Sequence, residues 1–328
     1  MQTTAFVGVA HIHTPGFINM VKERGDVRVK AIYDLQAERG EKRAQELGAT
    51  FTADLQTILD DAEITSVIIC SETSYHVELV EKCAAAGKNL FVEKPLATTV
   101  EDAERIRAAV QKADVVFQTG FFMRSSAWAQ FIKAEVEAGH LGKVTRMRHS
   151  NCHSGSLGGW FDGEWHWIVE KELAGGGGFA DLGAHALDIV LNTLTKTEGK
   201  VVQTAASIRN VTEKYDIDEN GTGLITFESG ATAVVEAGWV DPKLSSPIEV
   251  FGTRGQIQIV GDKVHYYSEL LEGADGNEYS ISQESAPHAF NLFFDKLDGK
   301  ETIVPLVTIE EAAEEAIVMA KLYEAAGV

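Results

Sequence analysis

The sequence predicts an α/β protein in two parts: a doubly wound parallel sheet over residues 1–122, then an α+β domain with a large, mainly antiparallel open sheet over residues 123–328. Three observations predict it. Short apolar runs alternate with amphipathic helical patterns through the first 120 residues, which is the spacing of strand–helix–strand units. The run Ser66-Val67-Ile68-Ile69-Cys70 is apolar on both faces, as a strand in the middle of a parallel sheet must be. Beyond Gly120, strand follows strand through short turns, the pattern of an antiparallel sheet.

The elements are expected in this order. Thr4–Val9 is a strand; Pro15–Glu23 is a helix with Thr14 as its cap and Pro15 at its first position, where a missing N–H costs nothing. Val27–Tyr33 is a strand, Ala37–Leu47 a charged amphipathic helix closed by Gly48, Ala49–Thr52 a brief strand and Leu55–Leu59 a short helix. After the Ser66–Cys70 strand come a helix from His76 to Ala86, ended by Gly87, and the strand Asn89–Val92. Val100–Lys112 is the next helix and Val115–Thr119 the next strand. The second part opens with a helix (Ala127–Ala138) and a strand (Lys143–Ser150), followed by a Gly- and Trp-rich loop over 155–178 and a helix from Leu182 to Leu194. Strands follow at 201–209, 222–228, 231–238, 248–252, 255–260 and 263–267, with a tight hairpin at Ser229-Gly230. An amphipathic helix over 308–326 ends the chain.

Bulk properties narrow the function. Hydrophobic content of 45% with 24% charged residues belongs to a globular chain with a substantial core. The net charge of −20 argues against nucleic acid and anionic membranes as partners, since phosphate binding needs a cationic surface. No apolar run reaches the 18 residues of a membrane span, and Met1-Gln2-Thr3-Thr4 leads straight into a strand without the basic start of a signal peptide. The three cysteines, Cys70, Cys83 and Cys152, are odd in number and far apart, which fits a reducing cytoplasm.

The first turn, Val7-Gly8-Val9-Ala10-His11-Ile12-His13, is a weakened dinucleotide fingerprint: Gly8 is present, Ala10 is a small replacement, and His13 stands where a third glycine is expected. Asp34 closes the second strand about 20 residues on, where a carboxylate takes the ribose hydroxyls of NAD and repels the 2′-phosphate of NADP. His11-x-His13 also permits a rival: in metal-dependent hydrolases built on (β/α)₈ barrels, such a pair ligates zinc. The antiparallel second half counts against that rival, and the preferred reading assigns no metal.

Two further motifs carry chemistry. Glu93-Lys94-Pro95 stops a short apolar strand, and residues just past a parallel strand's carboxyl end line the ligand crevice; the alternative is a solvated strand-end charge. Gly175 to Gly178 lead into a helix with Asp181 in its first turn and His185 four residues on, on one face with Asp188. A carboxylate beside an imidazole fixes its tautomer and raises its basicity; the alternative is a helix cap and an interior histidine.

Together, and in this order behind a Rossmann-like half, Glu93-Lys94-Pro95 and Asp181-x-x-x-His185 resemble the glucose-fructose oxidoreductase / inositol dehydrogenase (Gfo/Idh/MocA) family of NAD(P)-dependent oxidoreductases. The resemblance covers essentially the whole chain, including Gly87-Lys88-Asn89-Leu90-Phe91-Val92 ahead of Glu93, Glu228-Ser-Gly230 and Val250-Phe-Gly252-Thr-Arg-Gly255. It implies hydride transfer between NAD and a secondary hydroxyl or keto group of a sugar, sugar acid or cyclitol. His185 would be the general base, Lys94 the anchor of the developing alkoxide, and Asp181 a positioning group. It also implies cofactor contacts at Gly8, Ala10, His11, Ile12, His13, Asp34, Ser71, His76, Glu93 and Lys94, a Lys94-Pro95 turn that is often cis, and a homodimer or homotetramer formed through the second sheet. Arg124 falls where the family often has a substrate-facing cation, and Trp165, with Trp160, His166 and Trp167, offers aromatic faces to a sugar; surface and core roles are the alternatives. The segment Glu72-Thr73-Ser74-Tyr75-His76 keeps only the histidine of the family's pattern there. Loss of catalysis, leaving a sensor of the same fold, is the remaining alternative.

Overall fold

The computed structural model describes residues 1–328. Its first half runs β1 (Gln2–Val9), α1 (Thr14–Arg24), β2 (Val27–Tyr33), α2 (Ala37–Leu47), β3 (Thr50–Thr52), α3 (Gln56–Leu59), β4 (Ser66–Cys70), α4 (His76–Ala85), β5 (Asn89–Val92), α5 (Val100–Ala113) and β6 (Phe117–Thr119). All six strands lie parallel in the order β3-β2-β1-β4-β5-β6. This is the doubly wound order, and its direction reverses between β1 and β4, where ligands bind past the strands' carboxyl ends. β4 is buried at every position, as its doubly apolar pattern required.

The chain continues with α6 (Ala127–Glu137), β7 (Val144–Cys152), α7 (Lys171–Ala174), α8 (Gly178–Glu198), β8 (Val201–Arg209), β9 (Asn220–Phe227) and β10 (Thr232–Gly238). It ends with β11 (Ile248–Gly252), β12 (Gly255–Val260), β13 (Lys263–Ser268), β14 (Asp275–Glu278), α9 (Ala289–Leu297) and α10 (Ile309–Ala326). The second sheet has eight strands in the order β14-β13-β12-β11-β7-β10-β9-β8. Its pairings are antiparallel except β7 with β10, which run parallel. Those two strands are joined by the long excursion through α8, so the short-turn argument for antiparallel pairing does not reach them. No helix is long and apolar enough to cross a membrane.

Two compact units result. The first comprises residues 1–121, 161–175 and 287–316, the second residues 122–160, 176–286 and 317–328. In the first, Phe6, Phe17, Ile18, Ile32, Ile68 and Phe91 share a core with Phe290, Phe293 and Phe294 of α9. In the second, α8 packs on β7, β9 and β10 with most of its length buried.

Local expectations shift at three places. Thr14 is not the cap of α1 but its first residue; His13 is the flanking residue, and no side chain caps the end. The helix expected from Leu182 begins instead at Gly178 and runs 21 residues, because its first turn is capped from another segment, as described below. The helix α9 and the strand β14 were not expected; Asp275-Gly-Asn-Glu278 is exposed throughout and has no apolar alternation to betray it.

One buried group ties the second unit to pH. His149 on β7 is fully buried against Trp128, and burial pushes its imidazole down to about 4, against a weak bond with the Ala186 carbonyl. An unfolded histidine titrates near 6.5, so between roughly pH 4 and 6.5 the unfolded chain binds a proton that the folded chain refuses. Stability therefore rises with pH through that window and is lost as pH falls through it, by about 3 kcal/mol for this group in full. Urea unfolding of wild type and His149→Gln at pH 7.5 and 4.5 checks this: the variant should lose markedly less stability on acidification.

Candidate active site

The turn after β1 is built tightly despite its missing glycines. Gly8 sits at φ 84°, and a Cβ there would come within 2.5 Å of the Ser71 Cβ, so the first strand can pass β4 closely only with glycine at this position. The His11 N–H donates to the Cys70 carbonyl at 2.9 Å, and the Trp167 indole donates to the Ala10 carbonyl at 2.9 Å. Ile12 is half-buried, and Ser71 donates its hydroxyl to the Glu72 carbonyl. His13 has φ −81°, ψ −12°, ordinary helical backbone that needs no glycine. Its ring turns away from the helix axis to meet Glu93, Nδ1 to Oε1 at 2.7 Å.

Asp34 closes β2 and is fully engaged. Its carboxylate accepts the Val9 N–H at 2.8 Å, the Gln36 N–H at 2.8 Å, and three bonds from the Arg39 guanidinium. Arg39 also reaches Glu72 at 2.9 Å, and all three side chains are buried. Arg39 and Glu72 were missed from sequence. The signal was available for Arg39, five residues past Asp34 in the first turns of α2, whereas Glu72 enters only through the β1–β4 adjacency. The bare Cα of Gly8 and a buried acid at the end of β2 fit the tight turn and the ribose end of a dinucleotide.

The end of β5 holds the second group. The Glu93 N–H donates to the Ile69 carbonyl, and Lys94 is only 1% exposed, with a cis bond to Pro95. Burial would push the Glu93 carboxyl up, but His13 beside it, with His11 and Lys94, holds it down at about 2. Gly120 makes room for it: a Cβ there would lie 2.2 Å from Glu93 Oε2. His76 is buried and donates from Nδ1 to the Leu96 carbonyl at 3.2 Å, so it buckles the segment after Pro95; burial lowers its basicity.

In the second unit the glycine run has a visible cause. A Cβ on Gly177 or Gly178 would strike the Asp218 and Glu219 carbonyls at 2.0 and 2.3 Å. The Asp218 carboxylate accepts the N–H groups of Gly177 and Phe179 and the Tyr323 hydroxyl, and so caps α8 from another segment. Asp181 accepts the Trp239 indole N–H at 2.9 Å, and the buried His185 ring meets Phe122 edge-on at 4.7 Å. Arg124 commits its guanidinium to Asp188, as close as 2.6 Å. Of the tryptophans, Trp167 is core, Trp165 is half-buried beside it in the first unit, and Trp160 is exposed with its ring against His153. The fourteen residues named from sequence thus divide: Gly8, Ala10, His11, Ile12, His13, Asp34, Ser71, His76, Glu93, Lys94 and Trp165 belong to the first unit, and Arg124, Asp181 and His185 to the second. The strands form two open sheets and no barrel, which removes the scaffold that the hydrolase reading required.

Comparison with known proteins accords with this construction. A family model described as "Oxidoreductase family, NAD-binding Rossmann fold" matches residues 3–121, and the "GFO/IDH/MocA C-terminal domain" matches residues 129–258. The chain is 30% identical over 267 residues to the scyllo-inositol 2-dehydrogenase (NAD(+)) of Bacillus subtilis, covering 80% of this chain and 74% of that protein. It is 28% identical over 233 residues to the uncharacterized oxidoreductase YrbE of the same organism, covering 70% of this chain and 65% of that protein. A solved levoglucosan dehydrogenase, in complex with NADH and levoglucosan, shares the fold with a TM-score of 0.82 at 19% identity, covering 99% of this chain and 97% of that one.

Proposed function

The chain belongs to the Gfo/Idh/MocA family of oxidoreductases, and on that footing we propose that it moves a hydride between NAD and a secondary hydroxyl or keto group of a sugar, sugar acid or cyclitol. The observation that carries the reading is Lys94, an amine sealed to 1% exposure at the carboxyl edge of a sheet with the doubly wound strand order. A buried ammonium is costly unless it serves a partner.

A bound nicotinamide supplies the hydride acceptor or donor. The chain's own residues do the rest. In oxidation His185 takes the hydroxyl proton as general base. Lys94 donates a hydrogen bond to the oxygen as negative charge gathers on it. Asp181, steadied by the Trp239 indole, orients the substrate. In reduction His185 returns the proton. Arg124, held by Asp188, acts as a fixed wall rather than as a free cation. Glu93 and the turn from Gly8 to His13 would hold the cofactor's middle, and the end of β2 at Asp34 would face its adenosine ribose.

The cofactor preference follows from charge. Arg39 is already balanced by two carboxylates, Asp34 and Glu72, so a 2′-phosphate would enter a pocket with a net negative charge. NADH should therefore bind at least about tenfold more tightly than NADPH, a difference of about 1.4 kcal/mol. A fluorescence titration with each reads this: equal or tighter NADPH binding overturns the preference, and no binding of either overturns the dehydrogenase. If NADH binds and no polyol in a broad panel reduces NAD, the sensor reading takes its place. The three buried thiols and the mixed, acidic composition favour the cytoplasm. Val202 and Leu224, exposed on the neighbouring strands β8 and β9, favour a dimer or tetramer through the second sheet.

A further inference from the structure

The residues that spoil the dinucleotide fingerprint form a cluster with its own chemistry. His11, His13 and Glu93 each present a ligand atom within 4.8 Å of the other two, and all three lie in the first unit. We propose that they form a binding site for a divalent transition-metal ion of the zinc class, set in the turn between β1 and α1. Two imidazoles and one carboxylate are a ligand set that zinc accepts, with a fourth position left for water or another oxygen donor.

Five observations support the site beyond proximity. The donors converge from separate segments: both Nδ1 atoms face the same carboxylate oxygen, Glu93 Oε1, at 2.7 Å from His13 and 3.7 Å from His11. Glu93 is fully buried, yet its second oxygen, Oε2, has no hydrogen-bond partner. A buried carboxylate with an unused oxygen can take a further donor or cation. The space for this carboxylate depends on Gly120, where any side chain would collide with Oε2. The outer shell is also in place: the His11 ring lies 5.9 Å from the Trp167 ring, whose indole pins the Ala10 carbonyl, so the turn carrying both histidines is held from behind. The His13 side chain is 38% exposed and gives an ion a way in.

Loading is a simple exchange. His13 Nδ1 gives up the proton it shares with Glu93 Oε1 while Nε2 carries the ring's proton, the weak contact from the His13 N–H to His11 Nδ1 at 3.2 Å gives way, and the ion takes the three donor atoms. No bond is made or broken in a substrate, so the site does not depend on the dehydrogenase reading.

The test is titration of chelator-treated full-length protein with Zn²⁺ by calorimetry and with Co²⁺ by visible absorption. Expected are one Zn²⁺ per chain and the intense d–d bands of a four-coordinate Co²⁺. His13→Ala and Glu93→Gln should each weaken binding by about a hundredfold or more. The part-exposed His13 can be truncated without opening the core, and circular dichroism checks that both variants are folded. Absence of stoichiometric binding overturns the site and leaves the cluster a His–Glu ion pair; so does binding that both folded variants retain. NADH binding by the metal-free protein is read separately, so failure here and failure of the dehydrogenase reading are distinguishable.

Discussion

Replacing Lys94 with methionine is expected to lower kcat by about a thousandfold while the protein stays folded. Methionine is the better probe than alanine because Lys94 is 1% exposed: it keeps the aliphatic stem that fills the site and removes only the charged donor. In the proposed step the oxygen of the substrate passes from hydroxyl towards alkoxide as hydride leaves the carbon. A donor aimed at that oxygen in a water-poor site is worth far more in the transition state than in the ground state, so the loss should appear in kcat more than in KM. Steady-state kinetics on the best substrate of a polyol panel, with a thermal melt alongside, measure both. A folded variant that keeps more than a tenth of wild-type kcat would end the role assigned to Lys94.

His185→Gln is expected to cost about a hundred- to ten-thousandfold in the same assay. Its sharper signature is in the pH profile. A general base works only when neutral, so wild-type oxidation should rise with pH as the imidazole loses its proton. The variant has no such group and should lose that acidic limb. Glutamine preserves most of the buried volume against Phe122. If the limb persists unchanged in the variant, another residue is the base.

Much of this was legible from spacing. The strand–helix periodicity reached the six-stranded sheet because helices α1, α2 and α4 pack on the strands they adjoin, so local pattern and tertiary contact agree there. Glu93 and Lys94 were legible because parallel strands direct ligands to their carboxyl ends. The glycine run was legible as a close approach but not as a helix start. What fixes the helix start at Gly178 is the Asp218 carboxylate, which arrives from forty residues downstream and leaves no local trace. Arg124 had an unseen partner for the same reason: its pairing with Asp188 is a fact of packing. At the first turn the glycine rule misled in an instructive way. It asks for small residues, and the sequence supplies imidazoles, because His13 has helical backbone and a carboxylate to turn towards. The fingerprint reads the backbone's needs; it does not read what a neighbouring strand offers.

The discontinuous first unit bears on how the molecule is made. Its sheet begins to emerge from the ribosome at once, yet the face that buries Phe17 and Phe91 waits for Phe290, stacked on Phe17 at 4.8 Å and edge-on to Phe91 at 5.2 Å. Some 170 residues separate that helix from the end of β6, roughly ten to thirty seconds of synthesis at common elongation rates. For that interval the nascent sheet presents uncovered aromatic side chains, the kind of surface that chaperones hold. Most of the second unit, residues 122–160 and 176–286, lies in that interval and is synthesised before the first can close. A fragment ending near residue 121 therefore lacks the lid on its own core.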